Sequence, residues 1–133
     1  MFDYSIAAIA SPLESNYLAE WVAYHKAIGV EHFFLATNDW NYNTKDPSVS
    51  TVRIDGRTLQ LPYYNWALTH LRGATKWLAF TDCDEFIRCQ NMDKLVKGHE
   101  QDDAICLSWR MFGSSGLHFT GEYSVLKCFT KRQ

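Results

Sequence analysis

No apolar run in this chain of 133 residues approaches the ~18 that a membrane-crossing helix needs. The opening MFDYSIAAIASP has neither the basic flank nor the length of a secretory leader, which leaves the expectation of a soluble, cytoplasmic protein. Lysine and arginine never run longer than Lys131-Arg132, and 13 basic against 15 acidic residues give a formal charge of −2. That balance argues against a nucleic-acid partner. The four cysteines, Cys83, Cys89, Cys106 and Cys128, form no CxxC pair and have no histidine near them at metal-ligand spacing, which argues against zinc. Cys106 and Cys128 sit in the apolar runs AICLSW and VLKCF and are expected to be reduced, buried thiols. Internal repeats, linkers and low-complexity segments are also missing, and the length suits one domain over residues 1–133.

Aromatic residues, by contrast, are plentiful: five Trp, seven Tyr and eight Phe, more than such a core requires. Some of them are free to line a cleft and stack on a flat ligand. The order of elements follows from hydrophobic period. YSIAAIA (4–10) suits a buried strand, ended by the turn formers SPLESN. From Asn16, apolar residues recur at Leu18, Trp21, Val22, His25 and Ile28, the stripe of an amphipathic helix capped by Ser15 or Asn16 and stopped by Gly29. Trp21, Tyr24 and His25 share a face of that helix and are expected to pack in the core, with a hydrogen-bonded imidazole. EHFFLAT (31–37) is a second strand, and NDWNYNTKDPS a surface loop.

Strand, helix, strand within so short a span is a βαβ unit with parallel strands. STVRI (50–54) makes a short third strand, and a helix spans roughly 62–72 with Pro62 in its first turn and a stripe of Tyr64, Ala67, Leu68 and Leu71. KWLAFT (76–81) is strand four, MDKLVKGH (92–99) a short helix, DAICLSWRM (103–111) strand five and YSVLKCF (123–129) a weak final strand. The alternation predicts an α/β domain around an open, mostly parallel sheet flanked by helices.

Strand four runs straight into Asp82, Cys83, Asp84 and Glu85. Ligands of open parallel sheets bind beyond the carboxyl ends of the strands, so these acids lie on the functional edge. If the backbone there is extended, Asp82 and Asp84 face one side while Cys83 and Glu85 face the other. Two such carboxylates repel each other, and a divalent cation would offset the repulsion while keeping positions open for phosphate oxygens. Solvated acids at a strand end, or acids capping a turn, fit the same pattern. An EF-hand does not fit, because Ile87 stands where its glycine belongs. A haloacid-dehalogenase-like phosphatase using Asp82 also places Asp-x-Asp after an apolar strand, though usually on the first strand.

Four blocks in order resemble the glycosyltransferase family 2-like and family 92 group, whose fold is GT-A. They are ESNYLAEWVAYHKAIGVEHFFL, QLPYYNWAL, WLAFTDCDEF and WRMFGSSG. The resemblance implies a metal-dependent transfer of sugar from a nucleotide-sugar, expected to be a UDP-sugar, to a hydroxyl of a glycan or other acceptor. Asp82 and Asp84 would hold Mn²⁺ or Mg²⁺ against the donor diphosphate. Ala10, Ser11, Glu14, Asn38, Asp39 and Cys83 would face the donor. Gln60 and Asn65 are either caps of their helix or donor contacts, and Trp109, Phe112, Gly113 and Ser114 would form an acceptor-side loop. Glu85 is expected to be structural, accepting backbone N–H groups beneath the acids.

Pro12-Leu13 and Thr37-Asn38 depart from the family's Lys-Asn and Asp-Asn, so base preference does not carry over. The family's C-terminal half is short or missing here. His118 and Glu122 are the only late candidates for a catalytic base, and neither has a motif behind it. The alternative is a non-catalytic nucleotide- or sugar-binding domain.

Overall fold

The computed structural model describes residues 1–118 and 123–132. Its centre is a four-stranded, all-parallel sheet in the order β3-β2-β1-β4. The strands are β1 (Phe2–Ala10), β2 (His32–Asn38), β3 (Val49–Ile54) and β4 (Thr75–Phe80). β1 lies inside, paired with β2 from Ser5↔His32 to Ala10↔Thr37 and with β4 from Phe2↔Thr75 to Ala7↔Phe80. The α/β expectation of an open, parallel sheet flanked by helices holds.

Because successive residues of a strand point to opposite faces, β1 feeds two cores. Ile6, Ala8 and Ala10 pack with Leu18, Trp21, Phe33 and Leu35 under α1 (Leu18–Ala27). Ala7 packs on the other face with Ala36 of β2, Tyr63 and Ala67 of α2 (Gln60–His70), and Leu71 at the end of that helix. Full burial of Trp21, Phe33, Leu18 or Leu35 contributes on the order of 1.5–3 kcal/mol each. The alanines matter by their smallness, since they let both helices approach the central strand.

Local chemistry sets several boundaries differently from the sequence expectation. Ser11, not Ser15 or Asn16, provides the side-chain cap, and it caps a 3₁₀ turn over Pro12–Asn16 in a reciprocal capping box with Glu14. α1 follows with no side-chain cap of its own. On α2 the buried stripe is Tyr63, Ala67 and Leu71, while Leu68 is 55% exposed.

Residues 103–111 do not form strand five. They pair with no strand of the sheet among the described residues, Leu107, Trp109 and Met111 are exposed, and the nearest pairing is a lone bridge of Phe112 to Arg132. An apolar run makes a strand only where a neighbour supplies ladder partners. YSVLKCF is not a strand either. Ser124 accepts from Lys127 N and starts a one-turn helix, α4 (Val125–Cys128). The buried thiol is Cys83, whereas Cys106 is exposed and Cys128 half-buried.

Candidate functional site

At the carboxyl end of β4 the chain turns rather than extends. Glu85 N donates to Asp82 O at 3.0 Å, closing a turn, and Asp82 N donates back to the Glu85 carboxylate at 3.0 Å. The expected strand-like alternation of Asp82 and Asp84 is therefore replaced by turn geometry, and Glu85 takes the backbone-accepting place foreseen for it. Cys83 points inward, 2% exposed, with its thiol toward Ile9 O at 3.5 Å. The residue is enclosed as a whole, backbone included, so it is not on the exposed side of the turn. Asp82 Oδ1 accepts from Gln60 Nε2 at 2.7 Å, and the same nitrogen lies 3.2 Å from the Tyr64 hydroxyl.

One face of α1 fastens the segment that leaves this turn. Trp21 Nε1 donates to Glu85 O at 2.8 Å, and Tyr24 Oη donates to Ile87 O at 3.0 Å. His25 Nδ1 meets Trp21 O at 2.8 Å and can only donate there, so its Nε2 is the acceptor of Ile87 N–H at 3.2 Å. Phe86 fits between, stacked on His25 at 5.9 Å and edge-on to Tyr24 at 5.2 Å. Burial drives the His25 pKa down to about 4, against a smaller upward pull from its bond to Trp21 O. Spacing alone identifies this trio as a packed helical face. Its polar targets stay hidden because they are backbone atoms some sixty positions away.

The other expected site residues divide by location. Ala10 ends β1 and its carbonyl accepts from Trp40 Nε1 at 2.8 Å, a contact that folds the 39–48 loop back toward the edge. Ser11 N and Oγ donate to Glu14. Asn38 ends β2 with a buried Oδ1 that has no hydrogen-bond partner among the described residues, as does Thr81 Oγ1 after β4. Asp39 sits at φ 59° and accepts from Gly56 N at 3.2 Å. Asn65 lies exposed on α2, away from the acids' hydrogen bonds.

A groove of about 2110 Å³ follows the free edge of β4, and Asp84, Trp109 and Phe112 all border it. Its volume is at least twice that of a ligand-shaped pocket, so it is a trough and not a fitted cavity. Gly113 and Ser114 stand in a turn instead, pinned by Gly113 N to Lys131 O at 3.1 Å and by Leu117 N to Ser114 O at 3.0 Å. His118 is exposed, and Glu122 lies outside the described residues. Glu20 accepts from Ser124 Oγ and from Val125 N at 2.8 Å. Lys26 bonds to Asp46 at 2.9 Å.

The site is anionic. Partial burial lifts the Asp84 carboxyl above its usual range, its own backbone N–H pulls down, and the charges of Asp82 and Glu14 push up. Tyr17, raised by burial first, also feels Glu14 and Asp84, which places it beside both acids. Among the described residues the ion pairs are Lys26–Asp46, Arg53–Asp55, Lys76–Asp3 and His99–Asp102. None of them reaches Asp82, Asp84 or Glu14.

Glu14, Asp82 and Asp84 have no lysine or arginine ion-pair partner among the described residues. Among the described residues no three His, Cys, Asp or Glu side chains converge closely enough to enclose a metal. This donor set fits a hard cation that keeps most of its positions for water and phosphate, as Mg²⁺ or Mn²⁺ does, and does not fit a closed zinc site.

The chain is 27% identical over 139 aligned positions to a glycosyltransferase family 92 protein of Ricinus communis. The alignment takes in 90% of this chain and 24% of that protein, so the chain spans about a quarter of the length of the curated relative it matches. No protein-family model matches the chain, and no solved structure matches it. Among the described residues no helix is long and apolar enough to cross a membrane.

Proposed function

We propose that this chain is a nucleotide-sugar-binding unit of GT-A type within a metal-dependent glycosyltransferase. The observation that carries the reading is the position of Asp82 and Asp84 at the carboxyl edge of an all-parallel sheet, with no ion-pair partner for either among the described residues. The likeness to a glycosyltransferase family 92 protein supports sugar transfer in general as the activity. Residues 1–133 form one domain in this reading, and the protein is cytoplasmic.

Asp82 and Asp84 would hold a Mn²⁺ or Mg²⁺, which would supply electrostatic stabilisation of the charge developing on a departing diphosphate. The chain's residues do the rest. The Asp82–Glu85 turn presents the two carboxylates, and the Trp21, Tyr24 and His25 contacts keep that turn in place. Ala10, Ser11 and Glu14 at the end of β1, with Asn38 and Asp39 at the end of β2, are the residues that would face the nucleoside of a UDP-sugar. The buried Oδ1 of Asn38, without a hydrogen-bond partner among the described residues, is left to a ligand group or water. Trp109 and Phe112 offer exposed aromatic faces along the trough, the side from which a glycan or other hydroxyl acceptor approaches.

The test is a thermal-shift panel of nucleoside diphosphates with and without Mn²⁺, on the wild type and on Asp84→Ala. UDP should stabilise the wild type only with Mn²⁺ and should leave the variant unmoved. Metal-independent stabilisation, or none, overturns the reading. A phosphatase using Asp82 would instead be trapped by fluoroberyllate.

A further inference from the structure

Gln60 is the first residue of α2, distant in sequence from the acids, and its amide is the direct partner of Asp82. The contact belongs to a closed circuit. Tyr64 Oη lies 3.4 Å from Thr81 O and gives its proton there, so it faces Gln60 as an acceptor. Gln60 Nε2 therefore meets two acceptors at once, Tyr64 Oη at 3.2 Å and Asp82 Oδ1 at 2.7 Å. Both contacts require the nitrogen of the amide and exclude its oxygen, which fixes the orientation of the group. The circuit runs from the backbone of Thr81, through two side chains of α2, to the carboxylate of the next residue.

We propose that Gln60 is a positioning residue that orients the Asp82 carboxylate toward a divalent cation, with Tyr64 holding Gln60. This deepens the reading of Asp82 and Asp84 as a cation-binding pair and rests on it. The argument is one of charge and geometry. A donor that occupies Oδ1 fixes the plane of the carboxylate and leaves Oδ2 for the ion. Being neutral, the amide orients without cancelling the charge that attracts the ion, which a lysine or arginine at the same place would do. Outer partners of this kind commonly change metal affinity by roughly 10–100-fold when removed. Gln60 was open to a second reading, as a contact to the donor nucleotide, and the two differ in what they predict.

The experiment measures Mn²⁺ affinity from the electron paramagnetic resonance signal of free Mn²⁺, with and without UDP. The panel is wild type, Gln60→Ala, Gln60→Lys, Tyr64→Phe and Asp84→Ala, each with its unfolding temperature. Gln60 is exposed, so neither of its variants should move the unfolding temperature appreciably. Gln60→Ala should weaken Mn²⁺ binding about tenfold without UDP present. Gln60→Lys should weaken it further, and Tyr64→Phe should weaken it less. Wild-type Mn²⁺ affinity in Gln60→Ala, beside a loss in Asp84→Ala, overturns the positioning role and leaves the cation pair standing. Unchanged Mn²⁺ affinity with weakened UDP binding makes Gln60 a nucleotide contact and also overturns it. Absence of Mn²⁺ binding by the wild type overturns the cation reading, and this role with it.

Discussion

Acidification should destabilise this protein through one buried imidazole. His25 is fully buried, donates from Nδ1 to Trp21 O, and accepts the Ile87 N–H at Nε2. A second proton on the ring removes the acceptor and leaves a buried charge facing an N–H dipole. The groups packed around it are Trp21, Tyr24, Phe86 and the backbone of Ile87, none of them an acid that would welcome the charge.

The folded-state pKa of about 4 lies below the unfolded 6.5, so between these values the unfolded chain binds more protons. Stability is then whole above pH 6.5 and falls as pH drops toward 4. Going from pH 7.5 to pH 5 should remove about 2 kcal/mol, roughly 6–10 °C of unfolding temperature for a chain of this size.

Other groups titrate nearby. Burial also lowers His32, which adds to the same slope, and the raised Asp84 opposes it at the acid end. Asp46, held down to about 2 chiefly by Ser48 and then by Lys26, contributes below this window. A His25→Gln variant cancels all three, so the quantity to read is the difference between the two pH profiles of unfolding temperature. The wild-type curve should fall more steeply by about 2 kcal/mol over that range. Parallel curves, or an NMR titration of His25 near pH 6.5, would refute the buried-acceptor geometry.

Two shorter tests probe the rest of the framework. Tyr24→Phe removes only the hydroxyl that meets Ile87 O and should cost about 1 kcal/mol, read as a lower urea midpoint at constant slope. Glu20→Ala removes the carboxylate that holds Ser124 Oγ and Val125 N, and trypsin should then cut at Lys127 roughly 10–150 times faster, since charge-assisted bonds contribute about 1.5–3 kcal/mol. An unchanged rate would show that the carboxylate does not anchor α4.

How much of this was legible beforehand depends on how local its cause is. The four strands and two main helices follow from hydrophobic period and turn formers, within one or two residues. The acids fall at the end of β4 because an apolar run stops at Thr81, and a parallel sheet makes that end the functional edge. That Trp21, Tyr24 and His25 share a buried face was likewise written in their spacing.

Spacing could not say that their polar atoms grip the backbone after the acidic turn, because backbone groups carry no residue label. Nor could it place Gln60 against Asp82, since only the packing of α2 beside β4 brings together positions 22 apart. The failures have the same origin. DAICLSWRM has the composition of a strand, but a strand is a relation between two segments, and among the described residues the outer edge of β4 has no strand beside it. The sequence by itself determined the parallel α/β plan and the position of the acids. Only the tertiary structure decided which helix holds the acidic turn and which amide meets its carboxylate, because those contacts exist only once distant elements are packed.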